Sequence, residues 1–480
     1  MTSIGTPSPL PTTGLADYLA TARWFGGKGR DFEVTWVTRI GELPTAQPDL
    51  RVVIDVVHVH YVDGDTELYQ LPLALYSQPQ ENLGHAFISW HNEAPEGEPE
   101  QWRHAYDAIH DRAAMACWLA GFQSTDVIGA GTGAIGLQFH LEPGCELSSE
   151  AQSSPFTGEQ SNSSVMFGDD ALLKIFRKLT RGMNPDIEVL DVLTQDHSEH
   201  VARLYGWLSW DTEEEPLQLA ILQQFLKTAS DGWELALTSV RNLFAEAAWS
   251  AEGEMDANQA GGDFADEAYR LGAALASVHR ALAEHFGTTE RTAEGVAELI
   301  ARMRGRLAEA VVAVPELAEF APGLTELYQG LATLPGTPTQ RIHGDLHLGQ
   351  TLRTVNGWKL VDFEGEPAKP LPQRRQPDSR WRDVAGMLRS FDYAAHSVVM
   401  TEVSADLSDE GERELQATGW AARNQQAFLD GYTEEQELTP TESALLAAYV
   451  ADKAVYEAVY EARNRPSWLG IPLAALGRLG

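Results

Sequence analysis

Cysteine is scarce: the 480 residues hold only Cys117 and Cys145. Two cysteines exclude a disulfide framework and suit a reducing compartment. Positive charge is scarce too, with Lys plus Arg at 35 against 70 Asp plus Glu, a net charge of −35. A surface of that sign repels DNA, RNA and anionic lipid, so no nucleic-acid or membrane partner is expected. Any phosphate site must be locally positive or carry a metal. Long hydrophobic runs are missing: the most apolar segments, Arg51–Val57 and Leu71–Leu75, are strand-sized. The start, MTSIGTPSPLPTTG, has neither a basic nor an apolar leader region. The chain therefore reads as soluble and cytoplasmic.

What is present is enough apolar residue, 43 %, to bury a core, in a chain long enough for two or three lobes. Residues 1–14 are Pro/Ser/Thr-rich and expected to fray. Leu15–Trp24 reads as a helix, followed by a Gly-rich basic turn, Phe25–Arg30. Phe32–Ile40, Leu50–His60 and Glu67–Leu75 read as strands, the last two joined through Asp63-Gly64-Asp65. Pro95–Glu100 is a loop, and Trp102–Leu119 has helical periodicity. Gly129–Gly136 links to strands at Leu137–Leu141, Ser164–Phe167 and Leu172–Arg177. Pro185–Thr194 is a helix that Asn184 is placed to cap. The acidic run Asp211–Glu215 is a solvated loop, and Gln218–Phe225 is a strand. Beyond residue 227 long helices take over: Leu235–Ala248, Asp263–His285, Gly295–Ala313, Glu410–Tyr432 and Thr441–Asn464. Strands first and helices second imply two lobes with a cleft between them.

The informative segment is Arg341–Glu366, RIHGDLHLGQTLRTVNGWKLVDFEGE. Phosphoryl transfer needs a carboxylate facing the acceptor hydroxyl and oxygen ligands holding Mg²⁺ against nucleotide phosphates. Asp345 in a loop, Gln350 five positions later, and Asp362 after the strand Trp358–Val361 supply that set. The spacing places all three at one end of a hairpin turned at Gly357. Taken singly, Asp345 or Asp362 reads equally well as a turn-capping carboxylate; it is the constellation with His343 that points to transfer.

HGDLHLGQ followed by DFEG resembles the catalytic and metal loops of the aminoglycoside phosphotransferase-like, eukaryotic-type kinase superfamily. Members usually carry Asn where Gln350 stands. Gln350 and the GEP after DFE resemble, more narrowly, the actinobacterial maltokinases. The likeness extends through Arg23–Lys28, Gly158–Ser164, Gly261-Gly262-Asp263-Phe264, Pro377–Ala385 and Asp452–Glu457. The resemblance implies a bilobal α+β protein-kinase-like fold. It would comprise an N-terminal cap subdomain (1–105), an intermediate nucleotide-binding subdomain (106–226), and a helical C-terminal lobe with the catalytic and metal loops and the acceptor site (227–480). It implies ATP and Mg²⁺ as cofactors. The activity would be phosphorylation of maltose to maltose 1-phosphate for α-glucan synthesis, with trehalose synthase a candidate partner.

Within that frame Asp345 is the catalytic carboxylate, and Gln350 and Asp362 are the metal ligands. Ser161, Asn162 and Ser163 belong to a polar loop that would touch phosphate through hydroxyl and backbone N–H groups; a plain surface hairpin would look the same. Lys174 is the phosphate lysine. Glu188, 14 positions on, is its partner, as in the kinase Lys–Glu pair. Gln224 and Leu226 belong to the linker that would read adenine through backbone groups. His279 and His343 read as structural. On the acceptor side, Tyr449, Asp452, Tyr456 and Tyr460 share a helix face; Asp452 and Glu457 are placed to hydrogen-bond sugar hydroxyls, the tyrosines to stack on a ring, and Trp468 follows. Asp452, Tyr456, Tyr460 and Arg382 are the candidate sugar contacts; helix packing is the competing reading for the tyrosines. Asp383 either binds acceptor or braces the catalytic loop. Rival functions are a glucosamine or other sugar or aminoglycoside kinase with the same machinery, and a pseudokinase binding module.

Overall fold

The computed structural model describes residues 5–94, 98–124, 127–128, 136–156, 161–212, 215–227, 229–249, 264–334, 336–366, 369–401 and 410–479. Several expected features lie outside these residues: the start of the frayed segment (1–4), part of the Pro95–Glu100 loop (95–97), most of the Gly129–Gly136 link (129–135), Gly158-Glu159-Gln160, residues 213–214 of the acidic run, and Gly261-Gly262-Asp263. The chain forms two compact units. The first is Met1–Glu188 with Ala202–Lys227; the second is Val189–Val201 with Thr228–Gly480.

The first unit carries two seven-stranded sheets. One contains β1 (Thr6–Pro7), β2 (Phe32–Leu43), β3 (Leu50–Tyr61), β4 (Thr66–Tyr76), β5 (Phe87–Asn92) and β6 (Trp102–Asp107) in the order β1-β2-β3-β4-β6-β5. Helix α1 (Thr12–Thr21) lays Leu15 and Leu19 on its core beside Val53, Val57, Leu71 and Leu73. The expected helix Trp102–Leu119 is corrected here. Trp102–Asp107 is a strand, Ala108–His110 a single 3₁₀ turn, and only Arg112–Ser124 is helix α2. Strands lie on both sides of β6, with Leu73 opposite Asp107 and Asn92 opposite Trp102. Such pairing overrides a local helical pattern.

The second sheet holds β7 (Val127–Ile128), β8 (Gly136–Leu141), β9 (Ser153–Phe156), β10 (Ser163–Phe167), β11 (Ala171–Ile175), β13 (Leu204–Asp211) and β14 (Leu217–Gln224) in the order β7-β8-β13-β14-β11-β10-β9. Between β11 and β13, the short strand β12 (Lys178–Leu179) joins β4 of the first sheet. Helix α3 (Pro185–Gln195) follows, and the Asn184 side chain accepts from the Asp186 N–H at 2.8 Å, the expected cap.

The second unit is mainly helical: α4 (Gly232–Trp249), α5 (Ala265–Phe286), α6 (Ala293–Ala313), α7 (Ala321–Gly330), α8 (Leu371–Arg374), α9 (Trp381–Thr401), α10 (Glu410–Thr433), α11 (Pro440–Asn464) and α12 (Gly470–Gly477). Two small sheets accompany them. One joins β15 (Ser230–Asp231), β18 (Thr351–Thr354) and β19 (Gly357–Leu360); the other pairs β16 (Thr288–Glu290) with β17 (Pro338–Gln340). Helix α9, which the sequence reading did not assign, is buried without a break from Asp383 to Val398. A helix buried on every side has no polar stripe to reveal it. Part of its buried charge is paired: Arg389 donates to Asp392 and, across to α11, to Glu457 (2.8 Å).

Candidate active site

The loop after β17 carries His343-Gly344-Asp345, and Gly344 adopts φ +89°, a conformation glycine takes without steric cost. Asp383, fully buried at the start of α9, fastens this loop. Its two oxygens accept the N–H groups of His343 (2.7 Å) and Gly344 (2.8 Å). The His279 Nε2–H donates to the same carboxylate at 3.0 Å, and the Tyr432 hydroxyl meets His279 Nδ1 at 2.8 Å. Burial pushes the Asp383 carboxyl up, but these donors outweigh it and hold it below the usual carboxylate range. Asp383 is therefore the brace, and His279 is structural as expected.

His343 supports the loop from its other side. Its Nε2–H donates to the Val361 carbonyl at 2.9 Å, so Nδ1 is left to accept the Asp345 N–H at 3.4 Å. Its ring packs on Phe363, centroids 4.8 Å apart. Close packing by α9 completes the support: a Cβ on Gly386 would lie 2.4 Å from the Leu346 carbonyl oxygen.

Gln350 and Asp362 meet at the open end of the β18–β19 hairpin. The Val361 N–H donates to the Gln350 carbonyl (3.0 Å), and Gln350 Nε2 lies 3.2 Å from Asp362 Oδ2. Two oxygen-bearing side chains within one hydrogen bond suit a hard cation such as Mg²⁺. Asp362 sits at φ +66°, left-handed for a non-glycine residue. Such a backbone costs on the order of 1–3 kcal/mol and gathers at functional sites.

Lys453, on α11, brings its Nζ within 3.7 Å of Asp345 Oδ1 and 5.4 Å of the Tyr456 ring. The sequence argument missed it, although it stands beside Asp452. Tyr456 and Tyr460 are partly exposed, 38 % and 46 %, and so remain available to a ligand. Asp452 instead pairs with Arg306 Nε (2.9 Å), and burial raises its carboxyl pKa. Arg382 lies 3.4 Å from Asp378, which also accepts from Arg291 and from the Tyr449 hydroxyl. Tyr449 is thus a packing residue. Glu457, expected near sugar hydroxyls, is buried against Arg389.

In the first unit, Lys174 of β11 is buried at 6 %, opposite Ser164 of β10 and Ile221 of β14. Its Nζ lies 3.8 Å from Asp186 Oδ2, in the first turn of α3. Asp186 stands in the same helix turn as Glu188, the partner expected from the spacing, and adds a second carboxylate to that turn. Ser161 is exposed and Asn162 half-buried. Ser163 is buried, its Oγ accepting from Arg177 Nε at 2.7 Å. In the linker the Gln224 N–H is taken by the Arg203 carbonyl and the Phe225 N–H by that of Asp170, and the next amide is that of Leu226.

Comparison with known proteins defines the class. Residues 18–111 match the maltokinase N-terminal cap domain, and residues 153–365 match the phosphotransferase enzyme family. A glucosamine kinase of Streptacidiphilus jiangxiensis is 32 % identical over 344 residues, 66 % of this chain and 72 % of that protein. A crystal form of a glucosamine kinase superposes with a TM-score of 0.66 at 25 % identity, covering 92 % of this chain and 93 % of the other. A glucosamine kinase in complex with glucosamine, ADP and inorganic phosphate gives the same score at 24 % identity, covering 96 % of this chain and 98 % of the other. The chain belongs to the phosphotransferase enzyme family, with its kinase-like α+β fold. More particularly, it is an ATP-dependent sugar kinase that carries the maltokinase N-terminal cap domain.

Proposed function

We propose that the chain transfers the terminal phosphoryl group of ATP to a hydroxyl of glucosamine. The observation that carries this reading is the setting of Asp345: a carboxylate on a loop braced from both sides, facing a helix with exposed aromatic side chains. Asp345 accepts a hydrogen bond from the acceptor hydroxyl and takes its proton late, because the transition state is loose and positioning dominates. Lys174 neutralises phosphate oxygens. Gln350 and Asp362 would hold Mg²⁺, which when bound offsets phosphate charge. Ser161, Asn162 and Ser163 line the phosphates, and the Gln224 carbonyl with the Leu226 amide reads the base. Glu188 of α3 partners Lys174 and holds it toward the phosphates. Residues 1–105, 106–226 and 227–480 act as cap, nucleotide-binding subdomain and acceptor lobe.

The choice of an amino sugar is supported by the relatives and by charge. Burial first, then the charges of Glu366 and Asp345, raises the Tyr456 pKa. Carboxylates gathered beside an exposed ring favour a cationic acceptor, with Lys453 balancing part of that charge. Tyr456 and Tyr460 contact the sugar, while Arg382 and Asp452 orient the groups around it. A second reading, maltose phosphorylated at its anomeric hydroxyl, is favoured by the match of residues 18–111 to the maltokinase cap.

³¹P and ¹H NMR of the protein with Mg-ATP and either sugar separates the two. A glucosamine phosphate ester is the expected product. An anomeric phosphate formed from maltose alone would replace glucosamine by maltose, and no ester from either would overturn both.

A further inference from the structure

The basic turn Phe25–Arg30, with Trp24 before it, takes no part in the reading above, and neither does Arg177. The two meet. Arg177 follows β11 and is wholly buried, with 0 % exposure. Its guanidinium lies over the Trp24 ring, 4.7 Å from the centroid. One nitrogen donates to Asp107 Oδ2 at the end of β6 (2.7 Å), and Nε donates to Ser163 Oγ at the start of β10 (2.7 Å). Asp107 also accepts from the Tyr18 hydroxyl of α1 (2.9 Å), and Tyr18 packs edge-on against Trp24. The Arg177 carbonyl accepts the Gln70 N–H of β4 at 2.7 Å. One cation thus joins Trp24 and the end of β6, and through Asp107 the Tyr18 of α1, to one serine of the second sheet.

Stability does not explain this arrangement. Burying an ion pair costs desolvation that its attraction barely repays, and apolar residues of similar volume often serve as well or better. Here the cost is higher, because Arg177 NH1 is buried with no hydrogen-bond partner among the described residues. What a buried pair does well is fix one geometry among alternatives. The geometry fixed is that of Ser163, immediately after Ser161 and Asn162.

We infer that Arg177 is a positioning residue through which Trp24, Tyr18 and Asp107 of the cap set the Ser161–Ser163 segment for nucleotide phosphate. The inference rests on the reading of that segment as a phosphate contact. It makes the cap a determinant of nucleotide affinity, and not of sugar affinity.

The test measures KM for ATP, KM for glucosamine and calorimetric ADP affinity in Arg177→Lys, Ser163→Ala and the double variant. Arg177→Lys keeps the charge beside Asp107 and loses the directed bond to Ser163. Each single change is expected to weaken ATP and ADP about tenfold and leave the sugar KM within twofold. In the Ser163→Ala background Arg177→Lys should add nothing, because the pair acts as one unit. Additive losses, or equal losses for both substrates, would overturn the inference while leaving the phosphate segment in place. No effect of Ser163→Ala on either nucleotide would remove the segment's role and the inference with it. Should Arg177→Lys fail to fold, Asp107→Asn is the substitute, with the same split expected and its absence equally decisive.

Discussion

The two units hold their candidate segments by opposite means. In the second, a buried anion, Asp383, accepts backbone N–H groups of the loop that bears Asp345. In the first, a buried cation, Arg177, donates to a side-chain hydroxyl beside the Ser161–Asn162 segment. An anion on backbone amides fixes the path of the chain itself. A cation on one hydroxyl fixes a single side chain and lets its neighbours adapt. The first arrangement suits the proposed role of Asp345, which is to meet one proton; the second suits the proposed role of the Ser161–Ser163 segment, which is to fit several phosphate oxygens.

The largest effect separates what is held from what holds it. Asp345→Asn should lower kcat about 1,000-fold and leave the melting temperature unchanged; turnover near that of the unaltered protein would remove Asp345 from the chemistry. Asp383→Asn comes next, costing about 3 kcal/mol of stability at neutral pH, because two buried N–H groups lose a charged acceptor. The folded carboxyl titrates below the ordinary value of about 3.9, so this contribution is present above pH 4 and is lost as pH falls through the folded value. Urea titrations across that range should show the deficit of the variant closing in acid; a constant deficit would mean that packing, and not charge, braces the loop.

The smallest effect lies at Lys369. Burial first, then Arg382, lowers its amine to about 8. An unfolded lysine titrates near 10.4, so between those values the unfolded chain binds more protons and stability rises with pH. Relative to Lys369→Met, the unaltered protein should gain about 1 kcal/mol from pH 8 to 10, after allowing for solvent screening. Parallel stability curves for the two would show that Lys369 is not held in that state.

Legibility followed the length of chain an interaction spans. Gln350 and Asp362 stand within one hairpin, so their meeting could be read from spacing and a turn glycine. The strand run of the cap was legible at Phe32–Ile40, Leu50–His60 and Glu67–Leu75, the last from its alternation around Tyr69, Leu71 and Leu73. Trp102–Asp107 was misread because its partners, β4 and β5, decide its conformation, not its own pattern. Glu457 resembled a sugar ligand until Arg389 of α9 met it, and α9 itself carries no stripe to find. The place of Lys453 beside Asp452 turns on which way a helix faces, and periodicity alone leaves that open. Asp383 was left between two roles that only the positions of His343 and Gly344 could decide.

The short stretch Val189–Val201 belongs with the helical unit, although the chain on either side of it belongs with the sheets. Val201 bridges Leu360 in parallel, the Leu360 N–H donates to the His200 carbonyl at 2.8 Å, and Lys359 Nζ reaches the Glu199 carbonyl at 2.6 Å. The polypeptide therefore crosses from one unit to the other after Glu188, after Val201 and after Lys227. A gene divided at Lys227 would not yield two independent products. The downstream fragment would present β19 with a bare edge, open to pairing with any extended chain, and the upstream fragment would carry the stretch that belongs on that edge. Any chimera exchanging the helical unit must carry Val189–Val201 along with the helices.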